Sequence, residues 1–169
     1  MRWRGRIIEV TSEEVVLPDG RRTEFDVVRH PGGAAVVALN DHDEVCLLRQ
    51  FRHVAGEWLW ELPAGRRDGV EEPLVTAQRE LAEEAGLSAA TWSPLGRIIS
   101  SPGVFTEIVY LFQAQQLTHQ TPKHETEEYI ELHWVKLDIA LKWAGNGHIY
   151  DAKTIIGLFR AHRARADSA

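Results

Sequence analysis

Glu80, Glu83 and Glu84 fall within a single helical turn beside Arg79, and Gly65 and Gly86 bracket the segment that carries them. Residues three and four apart share one face of a helix, so these carboxylates repel one another by roughly a few tenths of a kcal/mol per pair. A hard divalent cation removes that repulsion, because Mg²⁺ takes oxygen ligands and keeps some of its waters. The cluster therefore points to divalent-metal chemistry. A solvated acidic helix face is the ordinary source of a charge run, but it accounts neither for the glycines nor for Arg79.

The flanking residues define the helix that must present this cluster. Glu71, Glu72 and Pro73 suit a first turn, where carboxylates meet the positive dipole end and proline loses no needed hydrogen bond. Gly86 suits a left-handed stop. Between them Leu74, Ala77, Leu81 and Ala85 build one apolar stripe for the core. The glutamates are expected on the neighbouring, solvent-facing side, so the helix is anchored by one face and offers ligands with the other.

Other elements follow from patterning. Residues 5 to 30 alternate apolar and polar around a Pro18-Asp19-Gly20 turn, which predicts an antiparallel hairpin of strands Ile7 to Leu17 and Arg22 to His30. After the break at Pro31-Gly32-Gly33, strands are predicted at Ala34 to Leu39, Glu44 to Gln50 and Trp58 to Leu62, the last leading into Pro63-Ala64-Gly65. Further strands are expected at Trp92 to Ile99, Ile108 to Gln115 and Tyr129 to Lys136, with helices at Leu137 to Ala144 and Ala152 to Ala164. Residues 118 to 128 are polar and read as a loop. Mixed strands with helices at the middle and the end suggest an α/β sandwich.

A chain of 169 residues can bury one core but not two ordinary domains. The net charge of −6 argues against a general binder of nucleic-acid backbones, which needs clustered Lys and Arg. A small anion bridged by a cation remains compatible. Cys46 is the single cysteine and lies in the apolar run 45 to 48, which makes it a buried hydrophobe and not a ligand. No signal peptide and no membrane span are expected from the charged, alternating start, so a cytoplasmic location is expected.

Residues 65 to 87 match a 23-residue pattern at every fixed position: Gly65, Glu71, Arg79, Glu80, Leu81, Glu83, Glu84, Gly86 and Leu87. On those residues the chain resembles the Nudix hydrolases. The resemblance implies a Nudix α/β/α sandwich with a mixed sheet over residues 31 to 169, preceded by a small antiparallel sheet in residues 1 to 30. In the ADP-ribose pyrophosphatase subfamily such a sheet serves dimerisation and substrate binding, so a homodimer is implied.

The resemblance also implies hydrolysis of a nucleoside diphosphate linked to another moiety, with Mg²⁺ as cofactor and Mn²⁺ as a substitute. Glu80, Glu83 and Glu84 would bind the metal with the carbonyl of Ala64, while Arg79 would orient a box glutamate. A general base in that subfamily comes from a glutamate on a later loop, and Glu125, Glu127 and Glu128 are the candidates, with Glu127 or Glu128 favoured. Glu61-Leu62-Pro63-Ala64-Gly65, Ser101-Pro102-Gly103 and Asp151-Ala152-Lys153-Thr154 resemble the ADP-ribose and nucleotide-sugar branch, Pro102 standing where that branch carries its marker proline. Arg49 and Arg52 are candidate phosphate forks, Trp58 and Trp60 candidate stacking platforms, and Glu107 a candidate partner of ribose hydroxyls or metal. ADP-ribose is the leading substrate, giving AMP and ribose 5-phosphate. The alternatives are another nucleotide sugar such as GDP-mannose, or a non-catalytic sensor of an ADP-ribose-like ligand.

Overall fold

The computed structural model describes residues 3–121 and 129–167. The chain opens with a three-stranded antiparallel sheet in the order β1 (Trp3–Arg4), β2 (Glu9–Val16), β3 (Arg22–Arg29). The predicted hairpin is its main part, and its turn places Gly20 at φ 85°, a backbone conformation that favours glycine.

Two further sheets form the middle layer. One has the order β10 (Ile130–Lys136), β5 (Glu44–Arg52), β6 (Glu57–Glu61), all antiparallel. The other has the order β7 (Ala64–Arg66), β4 (Gly33–Ala38), β9 (Ile108–His119), β8 (Leu87–Ile99), in which only β4 and β9 run parallel. The run from Ala34 to Leu39 is apolar at every position because β4 is covered on both faces. Successive side chains of a strand alternate between faces. Ala34, Val36 and Ala38 accordingly pack toward α1 (Pro73–Ala85). Ala35, Val37 and Leu39 pack toward α2 (Leu137–Gly145) and α3 (Ala152–Ala166). The result is an α/β/α sandwich with a mixed sheet and an appended antiparallel sheet.

Several boundaries differ from expectation. β7 pairs with Gly33, Ala34 and Ala35, and nothing in its three residues announces a strand. β8 begins directly after Gly86 at Leu87, five residues before the predicted start at Trp92, because Leu87 to Ala89 pair with Leu117 to His119. The same pairing carries β9 past Gln115 into the predicted loop. Within the described residues no helix is long and apolar enough to cross a membrane.

α3 lies close against the strands because Gly157 has no side chain: a Cβ there would come within 2.7 Å of Leu62 Cδ1 and 3.2 Å of Val37 Cγ2. That close approach brings the first turn of α3 beside the end of β6, where the functional groups gather.

Candidate active site

α1 starts at Pro73 in the first helical position and stops at Gly86, whose φ of 61° and ψ of 39° let its N–H reach the carbonyls of Leu81 and Ala82. Its buried residues form two adjacent lines. Ala77, Leu81 and Ala85 are apolar, while Thr76, Glu80 and Glu84 run beside them one position earlier. α1 differs from expectation in two respects. Leu74 is 37% exposed and does not belong to the apolar stripe, since Thr76 takes the buried position of the first turn and donates its hydroxyl to Glu71. Glu80 and Glu84 are only 8% and 4% exposed, not solvent-facing, because β7 lies over their side of the helix.

That packing is specific. The backbone N–H of Ala64 donates to Glu84 Oε2 at 2.7 Å, and a Cβ on Gly65 would overlap the Glu80 carboxylate. Glycine at 65 therefore makes room for a carboxylate as well as for the backbone turn. Cys46, fully buried, has its thiol pushed up to about 12 by burial and then by the nearby charge of Glu84. It stays a neutral packing group, as expected.

Arg79 ties the cluster together. Its Nη1 donates to Glu80 Oε1 at 2.6 Å and to Glu83 Oε2 at 3.0 Å. Its Nη2 donates to the Arg66 carbonyl at 2.8 Å and to Glu71 Oε2 at 3.1 Å. Burial works against the guanidinium's charge, but Glu71 and Glu80 outweigh it, and the group stays protonated. Glu71 in turn is held down to about 2, first by its hydrogen bond from Arg79 and also by Thr76 and the Asp68 N–H. Glu71 lies before the helix and reaches back to it, so it acts as a strut rather than as a first-turn dipole partner.

Glu80, Glu83 and Glu84 line a cavity of about 750 Å³ together with Arg52, Arg66 and Arg79. Arg6 and Ile7, between β1 and β2, reach the same cavity. Arg52 and Lys153 in its lining are joined through Glu61 at the end of β6, an expected substrate contact that does not itself line the cavity. Glu61 is 2% exposed and accepts from Arg52 Nε at 2.7 Å and Nη2 at 2.9 Å. Lys153 Nζ donates to Glu61 Oε2 at 2.5 Å and to Asp151 Oδ1 at 3.0 Å. Burial would raise the Glu61 carboxyl, yet Arg52 and Lys153 outweigh that and bring it to about 2. Asp151 caps α3 by accepting from the N–H and hydroxyl of Thr154, and the Thr154 hydroxyl accepts from the Leu62 N–H at 2.9 Å. The segment between Glu61 and Ala64 is thus pinned from α3 on one side and from α1 on the other.

Other expected site residues lie elsewhere in this chain. Arg49 and Trp58 sit on the opposite face of β5 and β6 from Arg52 and Glu61, with the Arg49 guanidinium 5.4 Å from the Trp58 ring centroid. Trp60 packs against Trp143 and His133. None of the three lines the cavity. Pro102 is exposed in the turn after β8, away from the cavity lining. Glu107 does line it, 3.4 Å from His30 Nδ1. His30 has its pKa lowered by burial, against the pull of Glu107. Glu125, Glu127 and Glu128 lie outside the described residues. Asp151, Lys153 and Thr154 were legible as a helix opening that resembles the nucleotide-sugar branch; the bonds of Lys153 to Glu61 and of Thr154 to Leu62, each 92 residues away in sequence, leave no local signal.

The NUDIX domain family model matches residues 29–154. The chain belongs to the Nudix family. It is 38% identical over 152 residues to an ADP-ribose pyrophosphatase of Bacillus subtilis (strain 168), a match that spans 89% of this chain and 82% of the relative. It is also 33% identical over 156 residues to a methanol dehydrogenase activator of Bacillus methanolicus, spanning 91% and 84%. A crystal structure of an ADP compounds hydrolase superposes with a TM-score of 0.84 at 20% identity, covering 99% of this chain and 91% of that one, which shows a shared fold.

The donor set of this Nudix site suits a hard cation. Glu71, Glu80 and Glu83 face a single guanidinium, with Glu84 beside them on the Ala64 N–H, and oxygen donors of this kind are what Mg²⁺ or Mn²⁺ takes. Among the described residues no three acidic, His or Cys side chains are gathered into a ready set of ligands. Arg79 stands between Glu80 and Glu83, so the carboxylates would share or exchange that partner on taking up metal.

Proposed function

We propose that this Nudix chain hydrolyses the diphosphate linkage of ADP-ribose, giving AMP and ribose 5-phosphate, with Mg²⁺ as cofactor. The observation that carries the reading is the burial of Glu80 and Glu84 beside one cavity that also presents Arg52 and Arg66. Buried carboxylates are costly without compensating charge, and a cavity with both carboxylates and guanidinium groups suits a cation with a polyanion. Likeness over most of both chains to the ADP-ribose pyrophosphatase supports the substrate.

Glu80, Glu83 and Glu84, with the Ala64 carbonyl, would hold the metal, which supplies charge neutralisation of the diphosphate and a lowered pKa for the attacking water. Arg79 and Glu71 keep the box glutamates in place. Arg52, braced by Glu61, presents its remaining N–H groups to phosphate oxygens. Glu107, which also lines the cavity, would meet a ribose hydroxyl. Glu127 or Glu128, with Glu125 as a further candidate, supplies the base that takes the proton of the attacking water. Arg49, Trp58 and Trp60 could meet substrate only from a second copy of the chain. A homodimer through the N-terminal sheet suits the exposed Trp3, Val16 and Phe25. Residues 1 to 30 would then form the pairing sheet and 31 to 169 the hydrolase domain.

A substrate panel of ADP-ribose, GDP-mannose and other nucleotide sugars, with Mg²⁺ and with EDTA, tests the reading by chromatography of the products. ADP-ribose is expected to be turned over fastest and only with metal. Tight binding without turnover would replace the hydrolase by a sensor.

A further inference from the structure

Glu61 carries one negative charge, and the two-point fork from Arg52 already matches it. Lys153 adds a second cation to the same carboxylate, with its side chain 19% exposed and at the cavity lining. Asp151 supplies the matching second carboxylate, so Arg52 and Lys153 balance Glu61 and Asp151 and the set is neutral, which holds the desolvated ammonium in place at the cavity lining. An ammonium has three donors. Glu61 and Asp151 take two, which fixes the direction of the third. Thr154 holds Asp151 in turn, so the ammonium is oriented by groups that are themselves anchored. Such preorganisation is what anion recognition requires.

We propose that Lys153 is a phosphate-recognition residue, its third N–H donating to a non-bridging oxygen of a nucleoside diphosphate in the cavity, with Glu61 and Asp151 as its positioning residues. The assignment rests on the reading that the cavity takes a nucleoside diphosphate. It does not depend on turnover.

The test is calorimetric binding of ADP and of adenosine to full-length protein in EDTA, for the wild type, Lys153→Met and Lys153→Arg. Lys153→Met is expected to weaken ADP at least tenfold, about the size of one charge-assisted hydrogen bond, and to leave adenosine unchanged. Lys153→Arg is expected to restore most of the ADP affinity. With ADP-ribose and Mg²⁺, Lys153→Met should raise KM by a similar factor. Unchanged ADP binding, or equal loss of ADP and adenosine, overturns the assignment.

Because Lys153→Met removes a partner of a buried carboxylate, a second measurement uses the unmutated protein. The chain has four lysines, so ¹³C-labelled lysine gives few side-chain signals, and Lys153→Arg identifies that of Lys153. The Lys153 signal should shift with ADP and not with adenosine; no ADP-specific shift overturns the proposal. If the ADP pattern holds while the wild type fails to hydrolyse ADP-ribose with Mg²⁺, the hydrolase reading falls and the Lys153 assignment stands. Hydrolysis with no Lys153 response gives the reverse.

Discussion

Replacing Glu61 by Gln removes one charge from a site where two cations converge, and its cost can be worked from the acid–base behaviour of the carboxyl. The Glu61 carboxyl falls from an ordinary 4.5 to about 2 in the folded chain, and its side chain is 3% exposed. At about 1.4 kcal/mol per tenfold, that difference is roughly 3 kcal/mol of folding free energy at neutral pH. Breaking a buried ion pair from one side costs about 3–5 kcal/mol by a separate route, and the two figures agree. Gln keeps an acceptor for Arg52 but turns an amide donor toward one of the cations. For a chain of 169 residues, the melting temperature should fall by roughly 6–12 °C. The sign of the pH dependence is also set. Below about 4.5 the unfolded carboxyl takes a proton that the folded one resists until about 2, so acid favours the unfolded chain and the stabilisation is lost across that window. At pH 3 about 2 kcal/mol of the wild-type advantage should be gone. Urea titrations of wild type and Glu61→Gln at pH 7, 5, 4 and 3 measure this. A gap below 1 kcal/mol at pH 7, or one unchanged at pH 3, refutes the reasoning.

Leu81 is fully buried under the strands, so Leu81→Ala should cost about 2–5 kcal/mol, read by urea denaturation; a smaller loss would mean that α1 is not anchored by this side chain. Gly65→Ala forces a methyl group onto the Glu80 carboxylate and should destabilise by about 1–3 kcal/mol while lowering metal affinity, read by calorimetry with Mn²⁺. Glu84→Gln keeps an acceptor for the Ala64 N–H, so its stability should stay within about 1 kcal/mol of wild type while kcat falls by roughly a thousandfold. Single Gln variants of Glu125, Glu127 and Glu128 should leave one far slower than the others in a steady-state assay; three near-normal rates would remove the loop base.

The parts legible in the sequence are those fixed by local chemistry. Pro73 and Gly86 delimit α1 because a ring without an N–H and a left-handed φ act within one turn, and the run from Ala34 to Leu39 declares a strand buried on both faces. The burial of Glu80 and Glu84 is a tertiary fact. It depends on β7, whose three residues become a strand only by pairing with Gly33 to Ala35, some thirty positions earlier. The Glu61–Lys153 bond spans 92 positions and depends on Gly157 letting α3 approach the strands.

Arg49 and Arg52 show how far a simple rule reaches. They lie three residues apart in one strand, and strand side chains alternate, so the two cannot both face the same cavity. The register sets Arg49 opposite Trp60 and Phe51 opposite Trp58, which puts both tryptophans on the Arg49 face. Glu61 pairs with Leu48 and so shares the face of Gln50 and Arg52. Once Glu61 is joined to Arg52, parity alone assigns Arg49, Trp58 and Trp60 to the other side of the sheet. What parity cannot supply is which side holds the box glutamates. That choice is made by α1, which packs on Cys46 and Leu48, and these two residues share the parity of Arg52.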